Sequence, residues 1–250
     1  MTDPAIYVFG GQRLSAHQVR ALLADAPLAE RQARVLALVE GGTIVDVGCS
    51  TGEFVREASR RFPNRTVIGV DYLDDTIRIA RLLHPRLEDR FRRMSAYRLE
   101  FPDASIDCVT LQEVLEHLEG AALALKEVNR VLRPGGALVA SVPNPYYAGR
   151  IARFCGAEIA NMCRRGLGRP PRLQAEVFDP AIAWDRHVLA FTPQTLMALL
   201  AVNGFDYVAH EYENGMPDPI RRAILKAMPF LGPTLILKVR KASVASAELV

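Results

Sequence analysis

Two short runs of this chain carry side chains whose types and spacing can do chemistry. In Gln112-Glu113-Val114-Leu115-Glu116-His117-Leu118, two carboxylates and an imidazole stand three and four positions apart. The spacing predicts a helix on which 113, 116 and 117 share one face. Such a face can take a proton from a substrate hydroxyl or form half of a divalent-metal site for Mg or Zn. His187, in Trp184-Asp185-Arg186-His187, precedes a helix start at Thr192 and is the candidate to complete that site. Glu116, His117 and His187 are the candidate catalytic residues. The same spacing also suits a purely structural ion pair between Glu113 and His117.

The second run is Ile44-Val45-Asp46-Val47-Gly48-Cys49-Ser50-Thr51-Gly52-Glu53-Phe54. An apolar strand-like stretch ends in an acid, followed by a turn with two glycines and a helix. Gly48 gives the turn a backbone shape that a Cβ obstructs, and Gly52 lets a ligand approach the main chain. The helix start offers N–H groups and a positive dipole end, which suits a small ligand with a negative group. A dinucleotide site would need G-x-G-x-x-G. Here Ser50 and Glu53 stand where the other glycines belong, and an acid at the helix start repels a pyrophosphate. A second apolar run, Thr66-Val67-Ile68-Gly69-Val70, ends in Asp71, 23 positions past Gly48. A carboxylate there can accept from both hydroxyls of a ribose, and Tyr72 after it either lies against an adenine or packs at the strand end.

Further on come Phe101-Pro102-Asp103-Ala104-Ser105-Ile106-Asp107, the Glu113–Leu118 run and Val131-Leu132-Arg133-Pro134-Gly135-Gly136. With these, the stretch from about Ile44 to Val142 resembles the class I S-adenosylmethionine-dependent methyltransferases. The resemblance implies S-adenosylmethionine as cofactor and a Rossmann-like sheet of seven strands, the last one antiparallel. It points to Asp46, Gly48, Cys49, Ser50, Gly52, Asp71, Tyr72, Ser95, Ala96 and Gln112 as cofactor-binding positions. One departure is Met94-Ser95-Ala96, where many relatives carry an acid that reads the adenine amino group; Ser95 is a weaker acceptor. The Glu113–His117 run with His187 resembles two metal-dependent O-methyltransferase groups, the ubiquinone-pathway enzymes and the small-RNA 2′-O-methyltransferases. Carried over, Glu113, Glu116, His117 and His187 would be the metal ligands.

These residues need a scaffold, and the composition supplies one. The 250 residues are half hydrophobic, enough for one α/β domain. No run approaches a membrane span, and Met1-Thr2-Asp3-Pro4 lacks the plan of a signal peptide. Cys49, Cys108, Cys155 and Cys163 form no zinc-type pair and suit a reducing cytoplasm. A formal charge of +3 is small for a nucleic-acid binder. Between residues 150 and 176, however, Arg150, Arg153, Arg164, Arg165, Arg169 and Arg172 face only Glu158 and Glu176, a local +4. A solvated basic loop and a site for an anionic acceptor both fit that charge.

The element order predicts a single α/β domain over 1–250, a mostly parallel sheet with helices on both faces. Residues 15–23 and 28–39 read as helices of a lead-in (1–40). Strands are expected near 43–47, 66–70, 90–94, 106–111, 136–142, 205–212 and 234–240, with residues 132–136 as a helix end and turn. Residues 144–192 break the alternation and read as an insertion capping the strand C-termini, where such sheets bind ligands. Thr192-Pro193 reads as a helix start and Asn203-Gly204 as its end. The expected function is methyl transfer to a hydroxyl of a small-molecule or sugar acceptor. The alternatives are 2′-O-methylation of RNA and a methyltransferase-fold module that binds without catalysis.

Overall fold

A computed structural model describes residues 6–9, 12–23, 28–169, 189–213, 223 and 225–242; the side chains of 6, 9, 148–154 and 157 lie outside that description. The chain opens with a hairpin of β1 (Ile6–Phe9) and β2 (Gln12–Ser15). Helices α1 (Ala16–Leu23) and α2 (Glu30–Leu38) follow. Then come β3 (Thr43–Val47), α3 (Glu53–Arg61), β4 (Thr66–Asp71), α4 (Asp74–Leu83) and β5 (Phe91–Arg93). The second half holds β6 (Ile106–Gln112), α5 (Ala121–Val131), β7 (Leu132–Pro143), α6 (Ala148–Gly166), α7 (Pro193–Val202), β8 (Phe205–Tyr212) and β9 (Thr234–Lys241).

Seven strands form one sheet in the order β5-β4-β3-β6-β7-β9-β8. Pairings from β5 through β7 are parallel, and β9 runs antiparallel to both β7 and β8. This is the expected Rossmann-like α/β sheet with an antiparallel last strand. Alternate residues feed two apolar layers. Val45, Val109, Leu138 and Leu237 pack with Leu125 and Val128 of α5 and Leu196 of α7. Ile44, Cys108, Val139 and Ile236 pack with Val35 of α2, Phe54 of α3 and Ile77 of α4.

Four expectations are corrected. The amino-terminal hairpin is additional: its Tyr7 and Leu14 bury against Val19 and Ile79, a small cluster apart from the main core. Leu132 does not end a helix but starts β7, paired with Ile106, because the helix closes at Val131. Part of the 144–192 insertion is helical, as α6. The fourth correction, the missing helix at 113–117, concerns the site. The helix start at Thr192 is as expected, with Thr192 Oγ1 accepting from Thr195 N at 3.1 Å and Pro at the first turn.

Candidate active site

The parallel strands β3, β4 and β6 end together, and the candidate cofactor residues lie on that edge. At the β3–α3 turn Gly48 has φ +78° and Gly52 φ +89°, values that favour glycine. A Cβ on Gly48 would strike Val114 Cγ2, and one on Gly52 the rings of Phe91 and His84. On the side where a Cβ would stand, the space at Gly52 is filled by Phe91 and His84, which adds a packing reason for glycine there. His84 is buried beneath the turn, its Nε2 3.1 Å from the Thr51 carbonyl; burial lowers its pKa, so the ring is neutral and donates there.

The N–H groups of the turn itself, ahead of the helix, are taken up inside the protein. Gly48 N and Cys49 N both donate to Val70 O, Ser50 N to Asp71 Oδ2 and Gly52 N to Cys49 O. With these N–H groups satisfied, the edge is dominated by carboxylates: Asp46, Glu53 and Asp71 converge there. A ligand with a positive group fits this better than an anion. Asp71 Oδ1 accepts from Leu73 N at 3.0 Å and Oδ2 from Ser50 N at 3.1 Å, so its orientation is fixed. The Tyr72 backbone also donates to it, and the remaining lone-pair capacity is available to a ribose hydroxyl. Tyr72 beside it is 66% exposed. Met94 N donates to Asp71 O, which brings Ser95 and Ala96 next to Asp71. Ser95 Oγ already accepts from Tyr97 N at 3.2 Å.

Asp46 is 2% exposed and forms the centre of a buried polar row across the sheet. Thr110 Oγ1 donates to its Oδ1 at 2.5 Å and Gln112 Nε2 at 3.0 Å. Burial pushes the Asp46 carboxyl up to about 6, against those two hydrogen bonds and the Arg31 charge. Gln112 Oε1 and the neighbouring Ser141 Oγ are buried with no hydrogen-bond partner among the described residues. Buried orphans of this kind are rare and point to an absent polar ligand. Cys49 is buried and its thiol is raised by burial, so it reads as packing rather than chemistry.

Sequence reasoning missed Arg31. It comes from α2, its guanidinium lies 3.6 Å from Glu113 Oε2, and its charge acts on Asp46. Only its place in an amphipathic lead-in helix hinted at it, and nothing in that pattern shows where the helix packs.

Residues 113–117 are not an α-helix. Glu113 has φ +56°, and only Leu115–His117 form a 3-10 turn. The shared helix face is therefore a misreading: Glu113 turns to Arg31, while Glu116 is 1% exposed and the Glu116–His117 pair stands 4.0 Å apart (Oε1 to Nε2). Among the described residues no three His, Cys, Asp or Glu side chains are grouped to hold a metal. His187 lies outside the described residues, as do Arg172, Glu176 and the side chains of Arg150 and Arg153. Leu189 N donates to Glu116 O at 3.1 Å, so the chain returns to this turn at Leu189.

A methyltransferase domain family matches residues 45–140. The chain is 32% identical over 168 residues to a demethylmenaquinone methyltransferase of Deinococcus radiodurans, covering 65% of this chain and 67% of the relative. It is also 32% identical over 129 residues to a ubiquinone biosynthesis O-methyltransferase of Alkalilimnicola ehrlichii, covering 50% and 51%. Matched stretches span between 31% and 67% of the lengths of such curated relatives. A Thermotoga maritima structure described as a possible histamine N-methyltransferase shares the fold, with TM-score 0.60, 17% identity and coverage of 90% of this chain and 94% of that one. The edge fits S-adenosylmethionine: Asp71 suits its ribose, the Gln112 acceptor and the carboxylates its cationic end, and Arg31 its carboxylate. With motif, sheet order and relatives in agreement, the chain belongs to the S-adenosylmethionine-dependent methyltransferases.

Proposed function

We propose that this protein methylates a hydroxyl oxygen of a small metabolite or sugar that carries a negative group. The Glu116–His117 pair carries this reading: a buried carboxylate beside a partly exposed imidazole, on a turn next to the cofactor edge. When bound, the cofactor supplies a sulfonium-activated methyl group, so an acceptor needs only placement and, for an alcohol, loss of a proton. His117 takes that proton at its imidazole, and the Glu116 charge favours the imidazolium that results. Glu116 acts through His117 and is a positioning residue. Asp71 orients the ribose, while Gln112 and Arg31 hold the amino-acid end. The O-methyltransferase relative supports the choice of oxygen.

The negative group is supported by α6. Positions 150, 153, 157, 161 and 164 follow one side of that helix, and on this side Asn161 is buried and Arg164 half-buried. Arg150 and Arg153 share this sequence spacing and add two positive charges to the segment that follows β7. Tyr146, fixed through Asn144 Oδ1 accepting from its backbone N at 3.0 Å, adds an aromatic ring at the end of β7.

His117→Ala is expected to lower kcat by roughly 10²- to 10⁴-fold with cofactor affinity unchanged and parent activity indifferent to a chelator. Activity lost to chelator and restored by Mg or Zn would transfer the role to a metal held by Glu113, Glu116, His117 and His187. Incubation with methyl-labelled cofactor and cell extract identifies the acceptor. Label in RNA would favour the 2′-O-methylation reading, and tight cofactor binding without any labelled product the non-catalytic module.

A further inference from the structure

The cofactor turn is held in a costly backbone shape. Ser50 has φ +49° and Gly52 φ +89°, so two left-handed residues flank Thr51. Glycine adopts that shape freely, whereas Ser50 carries a Cβ and is strained in it. Such strain persists only where the surrounding contacts over-determine it. Ser50 N donates to Asp71 Oδ2 at 3.1 Å. Thr51 Oγ1 donates to Glu53 Oε1 at 2.6 Å. His84 Nε2 donates to the Thr51 carbonyl at 3.1 Å. This last contact reaches in from outside the β3–α3 unit, from the residue that closes α4.

We propose that His84 is a positioning residue for S-adenosylmethionine: by holding the Thr51 carbonyl it keeps Ser50 N on Asp71 and Asp71 aimed at the ribose. It acts through the turn, since at 6% exposed it lies beneath it. The ring is wedged in place. Its Cδ2 and the Phe91 ring fill the space under Gly52, and the His84 and Phe91 ring centroids are 5.8 Å apart. Its backbone is tied on both sides, His84 N donating to Ala80 O and Leu87 N to His84 O. A carbonyl oxygen only accepts, so Nε2 carries the proton of the ring. The Thr51–Gly52 peptide is thus held at both ends, its oxygen by His84 and its N–H by Cys49 O at 3.0 Å. That N–H closes a four-residue turn in which Ser50 and Thr51 are the central residues. Without His84 the carbonyl, in a residue 4% exposed, loses this donor, and rotation of the peptide toward water relieves it. The rotation opens the turn, Ser50 relaxes out of the left-handed region, and Asp71 loses the N–H on its Oδ2. Cofactor affinity then falls with the fraction of molecules whose turn stays closed.

Calorimetry of the full chain with S-adenosylmethionine and with its demethylated product tests this. The readout needs no acceptor, so it stands apart from the proposed O-methylation. His84→Leu fills the space but removes the donor, and is expected to weaken both ligands by about five- to twentyfold. His84→Gln puts an amide N–H where Nε2 stood and is expected to keep affinity within about twofold of the parent. His84→Asn, one carbon shorter, is expected to fall with His84→Leu. Because the route runs through Ser50 and Asp71, the losses of His84→Leu and Asp71→Ala are expected to be less than additive, by at least about threefold in the double variant. Parent-like affinity in His84→Leu, an equal loss in the Leu and Gln variants, or additive losses with Asp71→Ala overturns the proposal. If His84→Leu does not fold, the Gln and Asn variants decide: equal affinity in those two overturns it as well.

Discussion

The β3–α3 turn and helix α6 sit in one chain and are built on opposite terms. In the turn, the N–H groups of residues 48, 49, 50 and 52 each have an acceptor inside the protein. Its glycines are hemmed in by Val114, Phe91 and His84. In α6 the apolar side is exposed and the buried side carries Asn161 and Arg164. The turn is specified by contacts inside the chain; α6 presents Ile159 and Met162 outward.

The comparison breaks if the cofactor edge is less rigid than it looks, and Asp46 is the sharpest probe. A rise from 3.8 to about 6 corresponds to about 3 kcal/mol. The folded state binds this proton more tightly than the unfolded chain, so the contribution is full below about pH 4 and is lost as pH rises through about 6. Denaturant unfolding of the parent minus that of Asp46→Asn should therefore decline by up to about 3 kcal/mol across that window and be flat above it. Next in size is Asp71→Ala. It removes the acceptor for two backbone N–H groups and for the ribose, with roughly 1.5–3 kcal/mol expected for bonds to a charged group. Calorimetry should show cofactor affinity down at least about tenfold. Unchanged affinity would take Asp71 out of the site.

Arg31→Ala should weaken the cofactor several-fold, by roughly 1 kcal/mol for a half-exposed charged contact. Decarboxylated cofactor analogues should not notice the change, which a general loss of packing would not reproduce. The smallest effect is expected at the α6 end of the comparison. Arg150→Glu with Arg153→Glu should raise the acceptor KM about two- to tenfold, more at low ionic strength, and leave cofactor affinity alone. An acceptor KM indifferent to both charge and salt would make that side of the helix mere surface.

The same divide decides what could be read from sequence. Strands β3, β4, β6 and β9 were legible as apolar, β-branched runs buried on two faces, and β3 and β4 also because they close on Gly48 and Asp71. Asp71 was legible because its offset from Gly48 follows from one βαβ unit. The turn at 113–117 was misread because φ +56° at Glu113 runs against its local helical spacing, and Arg31, which faces it, comes from a distant helix. The β1–β2 hairpin was missed because, among its described side chains, Tyr7 and Leu14 alone are buried, too short a pattern to register. Helix α6 was hidden among loop signals on its carboxyl side.

Strand β9 has a consequence of its own. It lies between β7 and β8, although β8 precedes it in the chain. On a ribosome, β8 is made before β9, its one neighbour among the described strands, and the flank of β7 that β9 will cover stays without it while everything from 144 to 233 is synthesised. That exposed flank is a ready template for the wrong strand, and the long separation slows correct closure. Nascent chains arrested short of Thr234 should therefore lean on chaperones, with release coming only as the final antiparallel strand threads into its gap.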